Sequence, residues 1–184
     1  MKTKKFFLAA LTMMCAMTTT VMTACSSSSD DDGGKTSSND PVAATMDYVL
    51  TTSNEVLDIL DVTIEYYDEN GKVQTEKMTN TEWKKTVRAK LPATLGARLK
   101  GQLKDGVDVT TIASFKASFG YSYNGYAVNA DNKVVGGVQS NAASSDLTMK
   151  GEKIPDYLND KKAGIVKFLF TFDTKGNSTS ASWQ

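Results

Sequence analysis

The chain has 184 residues, with 21 Lys and Arg against 21 Asp and Glu, two Cys, three Pro and no His. That length fits one domain with a tail, and 40% hydrophobic residues suffice for one ordinary core. Without His the chain can build no Ser-His-Asp or Cys-His catalytic set and no His-ligated metal site.

Residues 1–24 read as a secretion signal. Lys2, Lys4 and Lys5 form a basic start, and Phe6 to Met17 form an apolar stretch broken only by Thr12. A membrane-spanning helix needs about 20 apolar residues, so this stretch is too short. Met22-Thr23-Ala24-Cys25 resembles the lipobox of bacterial lipoproteins. The resemblance implies cleavage before Cys25 and its lipidation, with a diacylglyceryl thioether and an N-acyl chain. Ser26 to Ser29 followed by Asp30, Asp31 and Asp32 is similar to the export signal of surface lipoproteins in Bacteroidota-type outer membranes. The expected location is therefore the outer membrane, lipid-anchored and exposed at the cell surface, although which leaflet carries the anchor stays open. One acyl chain holds marginally, at about 0.8 kcal/mol per buried CH₂, and two or more hold stably.

Processing at Cys25 removes three Lys and no acid, leaving 18 basic against 21 acidic side chains, a net of −3. The same lipobox resemblance implies that Cys15 leaves with the signal and Cys25 is acylated, so that no thiol is expected to remain for a disulfide, a nucleophile or zinc. Residues 25–42 then form a Ser/Asp-rich tether without apolar periodicity, spanning about 23 Å root-mean-square. The folded domain is expected over residues 43–184.

From Ala43 onward the pattern has period two. Met46, Tyr48 and Leu50 alternate with Asp47, Val49 and Thr51, and Ser53–Ile59 reads as a short helical turn. Leu60, Val62, Ile64 and Tyr66 alternate with Asp61, Thr63, Glu65 and Tyr67, and Asn70-Gly71 supplies the turn to a return strand at Lys72–Thr79. Trp83, Lys85, Val87, Ala89 and Leu91 then share one parity. Beyond Pro92, the residues Leu95, Ala97, Leu99, Gly101 and Leu103 share another, which reads as a hairpin with one apolar and one basic face.

Phe115 to Tyr123 gives a further strand. It either turns at Asn124-Gly125 or runs on through a bulge to turn at Asp131-Asn132. The parity shift at Tyr126 and Val128 favours the second, leading into Val134–Val138. A helix follows, with Pro155 in its first turn, Asp156 at its positive end, Lys161 and Lys162 at its negative end, and Gly164 at C′. Phe168, Phe170 and Phe172 alternate in the next strand, and Thr174 to Asn177 turns into a last strand at Ser178–Trp183. Eight or nine close-spaced strands with one short helix predict an all-β fold, an antiparallel β-sandwich of immunoglobulin or transthyretin type.

Four constellations bear on function. Between Trp83 and Lys104 lie seven cations (Lys84, Lys85, Arg88, Lys90, Arg98, Lys100 and Lys104) and no acid, leaving −10 for the rest of the processed chain. Such segregation suits an anionic glycan or a protein partner, and the six candidate binding residues are Lys84, Arg88, Lys90, Arg98, Lys100 and Lys104. The competing explanation is a solvated strand face paired with Glu65, Glu76 and Glu82. Nucleic acid is not expected, because only Trp83 could stack among the charges. Phe115, Phe119, Tyr121, Tyr123 and Tyr126 form an aromatic run, read as core for the Phe residues and as either core or glycan platform for the Tyr residues. The Asp- and Asn-rich loops read as hairpin turns rather than calcium sites, and no carboxylate pair stands out for hydrolysis. No metal, cofactor or catalytic residue is assigned.

The stretch Ser53–Gly71, with Glu82-Trp83 and Leu91-Pro92-Ala93-Thr94, resembles a group of small uncharacterised surface lipoproteins from Bacteroidota-type bacteria. That resemblance implies an all-β lipoprotein domain and brings no activity or binding residue with it. The expected role is a surface-anchored, non-enzymatic binding or accessory domain. The alternative is a structural or assembly subunit that pairs through an edge strand.

Overall fold

A computed structural model describes residues 39–183. Cys25, the signal segment and most of the tether lie outside the described residues. In chain order the elements are β1 (Pro41–Thr52), α1 (Asn54–Ile59), β2 (Leu60–Tyr67), β3 (Val73–Lys77), β4 (Glu82–Lys90), β5 (Ala93–Leu103), β6 (Phe115–Asn129), β7 (Val134–Met149), α2 (Ile154–Asp160), β8 (Val166–Phe172) and β9 (Ser178–Ser180). A four-stranded antiparallel sheet, β4-β1-β6-β7, packs on a five-stranded one, β3-β2-β5-β8-β9. This is the expected all-β sandwich. Its first strand begins at Pro41, two residues before the expected domain start.

The period-two pattern places the core. Met46, Tyr48 and Leu50 of β1 and Leu60, Val62 and Ile64 of β2 are buried, with Leu95, Ala97 and Leu99 of β5, Phe115 and Phe119 of β6 and all three Phe of β8. Residues of opposite parity face outward, as alternation across a pleated sheet requires. Gly96 is the exception on β5. A Cβ there would meet the Leu169 Cα at 2.7 Å, so the position admits the close backbone approach that only glycine allows.

Three hairpins, β2–β3, β6–β7 and β8–β9, close with one shared loop design. Asp68, Asn129 and Asp173 each accept from the backbone N–H two and four residues on, at 2.8–3.1 Å. The residue three places on, Gly71, Asn132 or Gly176, takes the positive φ that follows a type I turn in such loops. The carboxylates of Asp68 and Asp173 are thus occupied by turn amides, which hold both below their ordinary range. As the parity shift implied, β6 passes through Asn124-Gly125 with register irregularities at Gly125 to Val128, and the chain turns at Asp131-Asn132.

The hairpin expected over Trp83–Lys104 does not exist. β4 pairs with β1, whereas β5 pairs with β2 and β8 in the other sheet. The linker Leu91-Pro92 explains this. A two-residue hairpin needs positive φ, which proline's fixed φ and a leucine do not supply, so the chain arches between layers instead. Helix α2 ends at Asp160, and Gly164, with φ +136°, lies beyond a further turn rather than at C′. β9 stops at Ser180, and the chain then crosses the outer face of the five-stranded sheet. There Trp183 donates to the Phe168 carbonyl at 3.1 Å and lies 4.4 Å from the Arg98 guanidinium.

Candidate interaction edge

The arch at Leu91-Pro92 divides the candidate basic residues. Lys84, Arg88 and Lys90 project from the outer face of the four-stranded sheet, and Arg98 and Lys100 from the outer face of the five-stranded sheet. They therefore do not form one surface. Several are also engaged. Glu65 receives Arg98 at 2.6 Å and Lys100 at 2.7 Å, Lys84 reaches Glu82 at 2.8 Å, and Lys104 donates to the carbonyls of Leu57 and Asp58. Burial pushes the Glu65 carboxyl up, but the Lys100 and Arg98 hydrogen bonds outweigh it and hold the group below its usual range. The cross-strand pairing with Glu65, weighed above as the competing explanation, accounts for Arg98 and Lys100.

Lys85 points inward instead. It meets Glu76 of β3 at 2.6 Å, and Glu76 also accepts from the Trp83 indole at 2.7 Å and the Tyr66 hydroxyl at 2.8 Å. The Lys85 ammonium sits 4.6 Å from the Tyr66 ring centroid. Lys85 and Trp83 together hold the Glu76 carboxyl down at about 2. The cluster clasps β3 of one sheet to β4 of the other and closes that side of the sandwich. A carboxylate saturated by three donors and fixed this low is a structural anion rather than a general acid.

The aromatic run divides as well. Phe115 and Phe119 are buried. Tyr121 and Tyr123 are half-buried, stacked on each other at 6.0 Å, and packed on Phe168 at 5.6 and 4.5 Å. Their faces are taken up by neighbouring rings, and burial raises the Tyr123 hydroxyl's pKa. Tyr126 stands on the outer face beside Asp47, its pKa raised by burial and then by that carboxylate. Among the described residues no cluster of three or more His, Cys, Asp or Glu could hold a metal ion.

The side opposite the clasp is bridged at one end, where Gln139 of β7 donates to Ser178 of β9 at 2.9 Å, and is open farther along β7, and the sheet edges there differ sharply. Three of the four edge strands are blunted in familiar ways. β3 has five residues including Glu76 and Lys77, β4 carries five charges in nine residues, and β9 is three residues long. β7 has sixteen residues, one charge (Asp146) and no proline. Val134 and Val138 on it are 55% and 62% exposed, and Asn141 to Asp146 is exposed on both faces. Gly137 in the left-handed region bends its first turn, leaving Val138–Met149 as the straight free edge.

Beneath β7 the five-stranded sheet is incomplete, because β9 covers only Phe170 to Phe172 of β8. The gap is a cleft of about 380 Å³, walled by Phe119 and Tyr121 of β6, Ala143 and Ser145 of β7 and the segment 160–167. Sequence reasoning found the start of β7 and missed residues 139–149. Asn141 to Asp146 is exposed on both faces and carries no apolar alternation, and only Leu147 and Met149 at the end of β7 turn an apolar side to the core. No protein-family model, no curated protein and no solved structure matches the chain.

Proposed function

We propose that this chain is a non-enzymatic assembly module, anchored to the outer membrane through acylated Cys25, that accepts an extended segment of another polypeptide along the free edge of β7. The observation that carries this is the contrast among the four edges. β7 alone is long, nearly uncharged and uncovered, and its unpaired N–H and C=O groups form a ready template for strand addition. The division of the basic residues between two outer faces, and the pairing of Arg98 and Lys100 with Glu65, leaves less reason for a single anionic ligand.

The test is a photo-crosslinking residue placed at Ala142 or Ser144 in the native envelope, with Thr86 on β4 as the comparison site. Adducts with another polypeptide are expected from positions 142 and 144 and not from 86. They should persist at high salt, because backbone pairing is little screened whereas a basic surface would let go. Adducts confined to position 86, or none from β7, would refute the assignment.

A further inference from the structure

We infer that the cleft beneath β7 is a side-chain pocket, and that the added segment presents there one bulky apolar or aromatic residue with an acidic residue close beside it. This rests on strand addition at β7 and specifies the partner's chemistry.

A strand that extends the four-stranded sheet keeps its alternation, so every second side chain points to the same side as Ala143 and Ser145, into the cleft. The floor it meets is Phe119 and Tyr121, and Ile165 stands opposite. That floor is apolar and aromatic, while Ser144, Ser145, Asp160, Lys161 and Lys167 add polar groups around it, and about 380 Å³ holds one large side chain. The lower rim supplies the charge. Lys161 and Lys167 line it with Asp160, and neither lysine has an ion-pair partner among the described residues. An acidic neighbour on the incoming segment would complement them.

A second copy of this chain fits less well. Antiparallel pairing of two β7 edges about a two-fold axis at Ala143 or Ser144 would bring Asn141, Ala143 and Ser145 of the copy over the cleft. Those side chains are too small to fill it. A sugar fits less well too, because the Tyr121 and Tyr123 rings are stacked on each other and packed at a tilt against Phe168.

The experiment pans the full chain against displayed random peptides about twelve residues long, matching the straight edge. Selected sequences are expected to share Phe, Tyr, Trp or Leu with Asp or Glu within two positions, and to slow hydrogen exchange of the β7 amides. Ala143→Trp, or Ser145→Trp should the first variant fold poorly, fills the cleft and should weaken a selected peptide at least about tenfold. Lys161→Glu with Lys167→Glu should weaken it about threefold, and Thr86→Trp should leave it unchanged. Peptides lacking the aromatic–acid pair and held equally by Ala143→Trp would overturn the pocket while leaving strand addition standing. Failure to select any peptide that protects β7 would overturn both, and an oligosaccharide retained by the chain and lost in Ala143→Trp would reassign the cleft to a sugar.

Discussion

The indole nitrogen of Trp83 on β4 donates to the Glu76 carboxylate on β3 across 2.7 Å, joining strands that belong to different sheets. With Lys85 and Tyr66 on the same carboxylate, this side of the sandwich is held by charge-assisted hydrogen bonds rather than by a shared strand.

The clasp makes stability depend on acid. The folded Glu76 carboxyl sits at about 2 against 4.5 in a free chain, so the unfolded state takes up the proton first on acidification. Its contribution is complete above about pH 4.5 and is lost as pH falls towards about 2. Because the Glu76 side chain is 38% exposed, solvent screening leaves roughly 1 kcal/mol. Glu76→Gln should lower stability by about that amount at pH 7 and flatten the acid limb. Urea unfolding at pH 7 and pH 3 checks both, and an unchanged acid limb would contradict the assignment.

Trp183 should matter despite standing at the end of the described chain. It lies under the Arg98 guanidinium and at a tilt against Tyr67, on the outer face where Leu169 is 5% exposed. Trp183→Ala should cost about 1–2 kcal/mol through the lost cation–π contact and covered apolar area. Thermal unfolding measures it, and a loss below a few tenths would mean that the tail merely rests there.

Gly96→Ala tests the close approach of β5 to β8. The added methyl would collide with the Phe168 carbonyl and the Leu169 backbone, neither of which can move without breaking the sheet. Destabilisation of about 1–3 kcal/mol is expected. Gly106→Ala is a poor control despite its open surroundings, since φ +81° strains any side chain. Ser182→Ala on the exposed tail serves better.

Asp146 is the only charge on β7, and a charge of this kind guards an open edge against pairing with itself. Asp146→Val should raise the aggregation rate several-fold without lowering the unfolding midpoint, as light scattering and calorimetry would record. Ser144→Lys should slow aggregation. Equal rates for the two variants would show that the edge is protected by something other than charge.

Much of this architecture is written locally. Leu60, Val62, Ile64 and Tyr66 mark their strand because one face of it is buried, and Asp68-Glu69-Asn70-Gly71 names its own turn. Pairing partners are not written that way. Trp83 to Leu103 has the alternation of two strands, but which sheet each joins depends on β1 and β2, far away in the chain. The stretch Asn141 to Asp146 of β7 carries no periodic signal, since a strand bare on both faces gains nothing from alternating. The clasp was equally hidden, because Glu76 and Lys85 look like ordinary surface charges until Tyr66 and Trp83 are brought beside them.

The central place of β1 sets the timetable of folding. It lies between β4 and β6, with Thr45 opposite both Arg88 and Tyr126. A ribosome delivers Met46, Tyr48 and Leu50 first, yet their second flank arrives only after most of the chain has been made. Until then these greasy residues stand without their mates, so the nascent polypeptide gains from being kept extended until β6 has arrived.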